Sequence, residues 1–308
     1  MKFRQLAAFL LSSLVLLSGC ATNNSQEETY ESTRVEGVTK KQVDDSSSLK
    51  SREEPKAKQG TTEKAKMAKV QQLLDEEYNE EGYGIYVESL VDESSASMNG
   101  NRLFFAASTG KLPALYYTQK MFDEKKIDPN KKFPYVDDIN EVEDYSYMRA
   151  GAGVLQDEEL GTEFSLDQIM EWTAKHSDNQ GANFLGYYGG DKFGSDMQKE
   201  IARIIGRPWH IPFEVTPKEN ALLMKAIYEQ DGKLVTYLSK TDYDNERIAE
   251  YIPKDVKVAH KIGDAEEFTH DIAIVYAKNP YIISVMTEDA GSYEDTSILS
   301  KKVYDILN

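Results

Sequence analysis

The fold of this chain is decided by the stretch Phe104-Phe105-Ala106-Ala107-Ser108-Thr109-Gly110-Lys111, which leads into an apolar run at residues 112–117. A hydroxyl followed three residues later by an amine, at the start of a helical pattern, places Ser108 Oγ and Lys111 Nζ one turn apart on one helix face. Unpaired backbone N–H groups at a helix start also favour negative charge that develops nearby. The pattern therefore predicts a nucleophile beside its base.

The spacing alone is weak, because Ser47 and Lys50 repeat it inside a polar tract. Two further motifs follow in order: Ser177-Asp178-Asn179 at the end of a predicted helix, and Lys261-Ile262-Gly263 at the end of a predicted strand. Each is common by itself, the first as an ordinary helix stop and the second as a Lys-x-Gly tripeptide. Their order along the chain is what makes the three motifs informative.

This ordered set resembles the signature of penicillin-binding proteins and class A β-lactamases, which is S-x-x-K, then S-D-N, then K-T/S-G. The resemblance runs from about Ile85 to the C-terminus. It includes Ser177 to Leu185, which is similar to the family's S-D-N-x-x-A-N-x-L run, and Val215-Thr216-Pro217, which is similar to its Thr-Pro helix start. It implies a β-lactamase/transpeptidase-like fold.

The order of the predicted elements gives a fold class by itself. A strand at residues 82–91 is followed by a helical middle, by three strands at 256–262, 270–277 and 281–287, and by a last amphipathic helix at 293–307. We therefore expect an α+β fold in which both chain ends build one antiparallel sheet flanked by helices. The middle would form an all-helical lobe.

The resemblance implies roles for the motif residues. Ser108 would attack a carbonyl carbon to give an acyl-enzyme, and Lys111 would take its proton. Ser177 would relay that proton to the leaving nitrogen, while Lys261 would orient Ser177 and lower the pKa of Lys111. Asp178 is interpreted as a buried structural acceptor.

The resemblance also implies substrate-binding residues. Asn179 would offer its amide to the substrate, and Tyr145 would form an aromatic wall of the cleft. The oxyanion would lie between the backbone N–H of Ser108 and that of Asp264, where Gly263 allows the strand to approach closely.

One departure from the family lies before the Thr-Pro helix start. Only 37 residues lie between Asn179 and Pro217, which is too short for the full Ω-loop of a class A enzyme. The E-x-x-L-N motif of that loop has no counterpart, and Glu214 lies too close to Pro217 to replace its glutamate. The water that hydrolyses the acyl-enzyme would then lack its base.

A second departure lies in the third motif. Ile262 replaces the hydroxyl residue that in the family helps to hold a substrate carboxylate, and no arginine follows Arg247. Asp264, Glu266 and Glu267 make this strand edge acidic. Both features disfavour recognition of an anionic substrate there.

Composition excludes several classes of function. The formal net charge is −17, and residues 66–308 carry 26 Lys or Arg against 44 Asp or Glu, so we expect no nucleic-acid partner. The single cysteine and the spacing of the four histidines offer no metal site. We predict neither a metal nor a cofactor, and the sequence gives no indication of oligomeric state.

The N-terminus reads as an export signal. Residues 1–19 combine basic residues with a short apolar run, and the small residues before Cys20 resemble a bacterial lipobox. We predict a signal peptide at 1–19, lipid attachment at Cys20, a solvated tether at 20–65 and a folded domain at 66–308. The protein would be exported and lipid-anchored to the outer face of the bacterial membrane; the alternative is an ordinary cleaved signal with an incidental cysteine.

These observations favour a serine acyl-enzyme hydrolase or acyl-transferase that acts outside the cell on an amide or ester of a small-molecule or peptidoglycan-like substrate. Two enzymatic alternatives stay open: a penicillin-binding carboxypeptidase or transpeptidase, and a true β-lactamase. A third is a non-catalytic module on the same fold that binds cell-wall material or a protein.

Overall fold

The computed structural model describes residues 56–209 and 213–308, with side chains described from residue 62 onward. The predicted signal peptide at 1–19 and the lipid-attachment site Cys20 lie outside these residues and stay predictions. No helix in the described part of the chain is long and apolar enough to cross a membrane.

Helix α1 spans Lys56–Glu77 and therefore begins inside the stretch that we predicted as tether, residues 20–65. The apolar positions that mark the buried face of this helix start at Met67, with Val70 and Leu74 after it. Periodicity cannot reveal the polar turns that precede the first buried residue, which is why the predicted start of the folded domain, residue 66, is too late.

A five-stranded antiparallel sheet forms the centre of the fold. Its strands are β1 (Tyr83–Ser89), β2 (Ser95–Met98), β7 (Val258–Ala265), β8 (Phe268–Val275) and β9 (Tyr281–Thr287). They lie side by side in the order β2-β1-β9-β8-β7. Because β1 pairs with β9, the N-terminal hairpin and the three C-terminal strands share one sheet. The predicted α+β class, with a sheet built from both chain ends, is confirmed.

Side chains of β8 alternate between two layers, as expected for a strand that is buried on both faces. Ile272 and Ile274 pack into the core beneath the helical lobe, whereas Ala273 and Val275 pack against α1 and the last helix, α8 (Tyr293–Leu307). The sheet is thus the middle of three layers.

The helical lobe lies between β2 and β7 in sequence. Its helices are α2 (Leu112–Asp123), α3 (Leu166–Lys175), α4 (Asn179–Phe184), α5 (Ser195–Ile205), α6 (Pro217–Gln230) and α7 (Lys233–Leu238). Two short ribbons, β3 (Phe104–Phe105) with β6 (Glu214–Val215) and β4 (Lys132–Pro134) with β5 (Glu163–Ser165), complete the described strands. The β3–β6 ribbon brings the segment before α6 beside the Ser108 turn.

Helix α6 starts as the sequence predicts. Thr216 accepts a hydrogen bond from the backbone N–H of Glu219, and the Glu219 carboxylate accepts one from the N–H of Thr216, with Pro217 at the first helical position. This capping box fixes the point at which α6 enters the core between α2 and the sheet.

Candidate active site

The Ser108 turn lies where the edge strand β7 meets the helical lobe. Residues Ala107–Lys111 form a 3-10 turn that runs directly into α2. Ala107 has a φ of 45°, in the left-handed region that non-glycine residues rarely adopt. Such local strain persists only where the surrounding structure imposes it, and it is common at catalytic turns.

The predicted nucleophile and base are adjacent. Lys111 Nζ lies 2.8 Å from Ser108 Oγ, and Lys111 is fully buried while Ser108 is partly exposed. Nζ donates to the backbone carbonyl of Ser177 at 2.5 Å and to Asn179 Oδ1 at 2.6 Å. A neutral amine has two N–H groups and one lone pair, so these two acceptors leave the lone pair directed at the Ser108 hydroxyl.

The surroundings of Lys111 favour that neutral form. Burial lowers the pKa of Lys111 well below its ordinary value, and the nearby Lys261 ammonium lowers it further, while the Asp178 carboxylate acts in the opposite direction. A lysine that is neutral near pH 7 can act as a general base toward Ser108.

Ser177 lies between the two lysines. Lys261 Nζ donates to Ser177 Oγ at 2.7 Å and to the carbonyl of Ile262 at 2.9 Å, and Ser177 Oγ is 3.4 Å from Lys111 Nζ. Ser177 is buried and has a φ of 53°, so its position depends on its contacts with both lobes. The hydroxyl can therefore pass a proton from Lys111 to a group in the cleft.

Lys261 is itself perturbed. Burial lowers its pKa to about 7; the buried Asp271 carboxylate raises it and the Arg247 guanidinium lowers it. His260 precedes Lys261 on β7, and its Nδ1 lies 3.1 Å from both Asp271 oxygens. Burial lowers the pKa of His260, but the charges of Asp271 and Asp244 outweigh burial and raise it to about 9. The imidazolium shares Asp271 with Lys261 and limits how strongly that carboxylate holds the proton of the lysine.

These shifts predict a bell-shaped pH profile for acylation of Ser108. Protonation of Lys111 removes the base on the acid side, and loss of the Lys261 proton reduces the rate above about pH 7. The second-order acylation rate constant, measured by intact mass from pH 5 to pH 10, is the readout. Lys261→Arg keeps its charge and is expected to remove the alkaline decline, whereas a wild-type rate that climbs up to pH 10 contradicts the assignment.

The second motif also shapes the cleft wall. Asp178 is fully buried; it accepts backbone N–H bonds from Val154, Leu155 and Gly181, as expected for a structural acceptor. Asn179 lines the cleft, and its Nδ2 lies 3.1 Å from the Ala150 carbonyl, to which it donates. Asn179 Oδ1 accepts from Lys111 and Nδ2 donates to carbonyls of residues 148 and 150, so the amide ties the cleft wall to Lys111.

Gly263 lies against the Ser108 turn, as predicted from its place in the third motif. A Cβ at this position would lie 2.9 Å from Thr109 Cγ2 and 3.1 Å from the Ala106 carbonyl oxygen. The Ile262 carbonyl faces Lys261 Nζ on the cleft side, and N–H and C=O of one strand residue point the same way. Two residues later, the N–H of Asp264 therefore points into the cleft beside Ser108, where an oxyanion can be held.

Replacing Gly263 with alanine is expected to slow acylation about tenfold, because the added methyl pushes the Ser108 turn away from the strand and misaligns the two N–H donors. The acylation rate constant checks this, with circular dichroism of the variant as the control for folding. An unchanged rate in a folded Gly263→Ala protein would show that the close approach does not position the nucleophile.

The cavity beside Ser108 has a volume of about 520 Å³. Its described lining residues are Phe105, Ala107, Ser108, Ser146, Tyr147, Met148, Ala150, Gly151, Ala152, Asn179, Phe213, Asp264 and Ala265. Most of these side chains are apolar or aromatic. The cavity therefore suits an apolar acyl group.

The prediction that Tyr145 forms the cleft wall is wrong. Tyr145 stacks on Phe193 at 5.1 Å between ring centroids and packs edge-on against Trp209, away from the cavity. Tyr147 takes that place: Lys111 Nζ lies 4.8 Å from its ring centroid, and its hydroxyl donates to the carbonyl of Ala107. The segment is irregular, so no periodicity in the sequence separates the two tyrosines.

The structure also shows where three other residues near the cleft lie. His270 accepts from the Thr287 N–H at Nδ1 and donates from Nε2 to the Phe105 carbonyl, so it holds β3 as a neutral imidazole; burial lowers its pKa to about 4. Glu214 is exposed on β6 and is not among the described residues that line the cavity. Arg247 is buried and donates to Asp264 Oδ2 at 2.6 Å, a contact that no sequence pattern indicated.

Comparison with known proteins gives the family. The sequence matches the family model described as "Beta-lactamase enzyme family" over residues 65–307, more than half of the chain. No curated protein is a significant match to the sequence.

Solved structures of similar fold include two of PBP-A. The first is 20% identical, with a TM-score of 0.62 over 79% of this chain and 94% of that chain. The second, an L158E mutant in acyl-enzyme complex with penicillin G, is 21% identical, with a TM-score of 0.64 over 78% of this chain and 95% of that chain. A β-lactamase from Sphaerobacter thermophilus is 20% identical, with a TM-score of 0.60 over 79% and 95% of the two chains. These likenesses confirm the β-lactamase/transpeptidase-like fold.

Proposed function

The chain belongs to the β-lactamase enzyme family as a β-lactamase-like serine hydrolase, and we propose that it forms a slowly hydrolysed acyl-enzyme at Ser108 with an amide or ester. One observation carries the proposal: the buried Lys111, whose pKa is lowered well below its ordinary value, lies 2.8 Å from Ser108 Oγ, with Ser177 and Lys261 placed to move the proton onward.

The geometry supports the following sequence of bond changes. Ser108 Oγ bonds to the carbonyl carbon as its proton passes to Lys111 Nζ, and the oxyanion accepts from the N–H groups of Ser108 and Asp264. The tetrahedral intermediate then expels the leaving nitrogen or oxygen, which receives the proton through the Ser177 hydroxyl. The acyl group is left as an ester on Ser108.

Hydrolysis of the ester on Ser108 is the slow step of the proposed reaction. Among the described residues that line the cavity, Asp264 is the single carboxylate, and its Oδ2 accepts from Arg247. A general base for the attacking water needs a carboxylate or imidazole within hydrogen-bond reach. The short segment between α5 and α6, which includes residues 210–212 outside the described part, offers no E-x-x-L-N motif.

The lifetime of the adduct tests this proposal. After labelling with benzylpenicillin methyl ester and removal of excess probe, the adduct mass is expected to decay far more slowly than it formed. A chromogenic cephalosporin ester should accordingly give one burst per protein molecule without steady turnover. Rapid multiple turnover would instead favour a true β-lactamase, and the absence of any adduct would favour the non-catalytic binding module.

A penicillin-binding carboxypeptidase or transpeptidase is the second candidate, supported by the fold shared with PBP-A.

We also propose that the protein acts outside the cell, exported by the predicted signal and anchored through Cys20. Globomycin sensitivity of processing, together with loss of membrane retention in Cys20→Ala, tests the anchor.

A further inference from the structure

We propose that the site selects acyl donors whose leaving side carries no carboxylate, and that Asp264 enforces this choice by its own negative charge. The proposal deepens the acyl-enzyme function and rests on it. It is carried by the arrangement of Asp264 and Arg247 at the end of β7.

The carboxylate of this ion pair faces the cavity and the guanidinium does not. The Asp264 side chain is 38% exposed and lines the cavity beside Ser108, whereas the Arg247 side chain is 1% exposed. The 2.6 Å bond from Arg247 to Asp264 Oδ2 therefore lies beneath the cavity floor. An anionic substrate would meet the Asp264 carboxylate before it could reach the Arg247 guanidinium.

Protein groups hold the Nη atoms of the guanidinium in place, while its buried Nε has no hydrogen-bond partner among the described residues. The guanidinium donates to the His270 carbonyl, lies 3.2 Å from the Glu246 carboxylate and stacks 3.8 Å above the Tyr293 ring centroid. A substrate carboxylate could bind Arg247 only by displacing Asp264. That exchange would leave the displaced Asp264 carboxylate without its cation.

No other cation is available to offset this charge among the described residues that line the cavity, where Asp264 is the one formally charged side chain. Lys111 and Lys261 are buried on either side of Ser177, and their N–H groups are directed at protein oxygens. Ile262 is buried and supplies no hydroxyl. The leaving side of the cleft therefore repels a carboxylate and offers it no donor in return.

Most of the remaining cavity wall is apolar or aromatic. Phe105 stacks on Phe213 at 6.2 Å between ring centroids, and Met148 is 79% exposed at the rim. An apolar acyl group on this wall, joined to an uncharged or amine-bearing leaving group near Asp264, matches both sides of the cleft. Repulsion of this kind gives specificity by penalising the wrong substrate.

Benzylpenicillin and its methyl ester test the proposal, because they share the β-lactam ring and acyl side chain and differ in the carboxylate. We expect the full-length protein to be acylated at least tenfold faster by the ester. In Asp264→Asn that preference should fall at least tenfold, while Glu266→Gln, with the same charge change outside the cavity lining, should retain it.

A readout on the wild-type protein makes the test independent of how the variant folds. Because salt screens the repulsion, raising the ionic strength should speed acylation by the anion and leave the ester unchanged. Equal rates for the two probes at low salt, or an unchanged preference in folded Asp264→Asn, overturn this inference and leave the acyl-enzyme function standing. If neither probe labels Ser108, the proposed function fails and the inference fails with it.

Discussion

Lys111→Met is expected to reduce acylation of Ser108 by about 10²-fold to 10⁴-fold, the range typical for general acid–base catalysis. Methionine keeps the length of the side chain but has no lone pair of comparable basicity for the hydroxyl proton. Ser108 would then attack as a neutral alcohol. The acylation rate constant with benzylpenicillin methyl ester, followed by intact mass, is the measurement.

Lys120→Met is the matched control for Lys111→Met, because it removes a lysine from α2, the helix that follows Lys111 directly. Lys120 is partly exposed and bonded to Glu124, so its loss should change stability by about 1 kcal/mol or less and leave acylation intact. Circular dichroism separates a chemical loss from an unfolded protein. A Lys111→Met protein that is folded and acylated at the wild-type rate contradicts the role of Lys111 as the base.

Ser177→Ala is expected to slow acylation by a β-lactam about 10²-fold to 10³-fold, because the leaving nitrogen loses its proton relay. Ser177 Oγ accepts from Lys261 at 2.7 Å and lies 3.4 Å from Lys111 Nζ, so it is the hydroxyl that joins the two amines. A p-nitrophenyl ester, whose leaving group needs no proton, should be affected far less.

The comparison of the two probes distinguishes a relay from a structural role. If Ser177→Ala slows both acyl donors equally, Ser177 serves to hold the lysines and does not carry the proton. Ser239→Ala, which removes a hydroxyl that donates only to the Thr236 carbonyl at the end of α7, is the matched serine control.

The four central residues could be predicted because each belongs to a short motif whose local geometry is set by a helix or strand. The spacing of Ser108 and Lys111 needs only one helical turn, Ser177 follows the end of α3, and Lys261 lies within β7. Because both chain ends share one sheet, the segments that carry these four residues could be expected to lie close together.

The parts that could not be predicted depend on contacts between distant residues. Tyr147 is fixed by Asn183, which accepts from its N–H at 2.7 Å and donates to its carbonyl at 2.9 Å, and no local pattern shows this. The pairing of Arg247 with Asp264 joins segments that are separate in sequence. Helix α7 could not be recognised from the sequence, because its six residues after Gly232 make too few turns to show a helical period.

The central claim is that Ser108 is the acylated nucleophile. Its most direct test is intact mass and peptide mapping of the full-length protein after incubation with benzylpenicillin methyl ester, beside Ser108→Ala. We predict one added probe mass, located on the peptide that contains Ser108 and absent from the variant. An equal adduct on Ser108→Ala, or no adduct on the folded wild-type protein, would contradict the account.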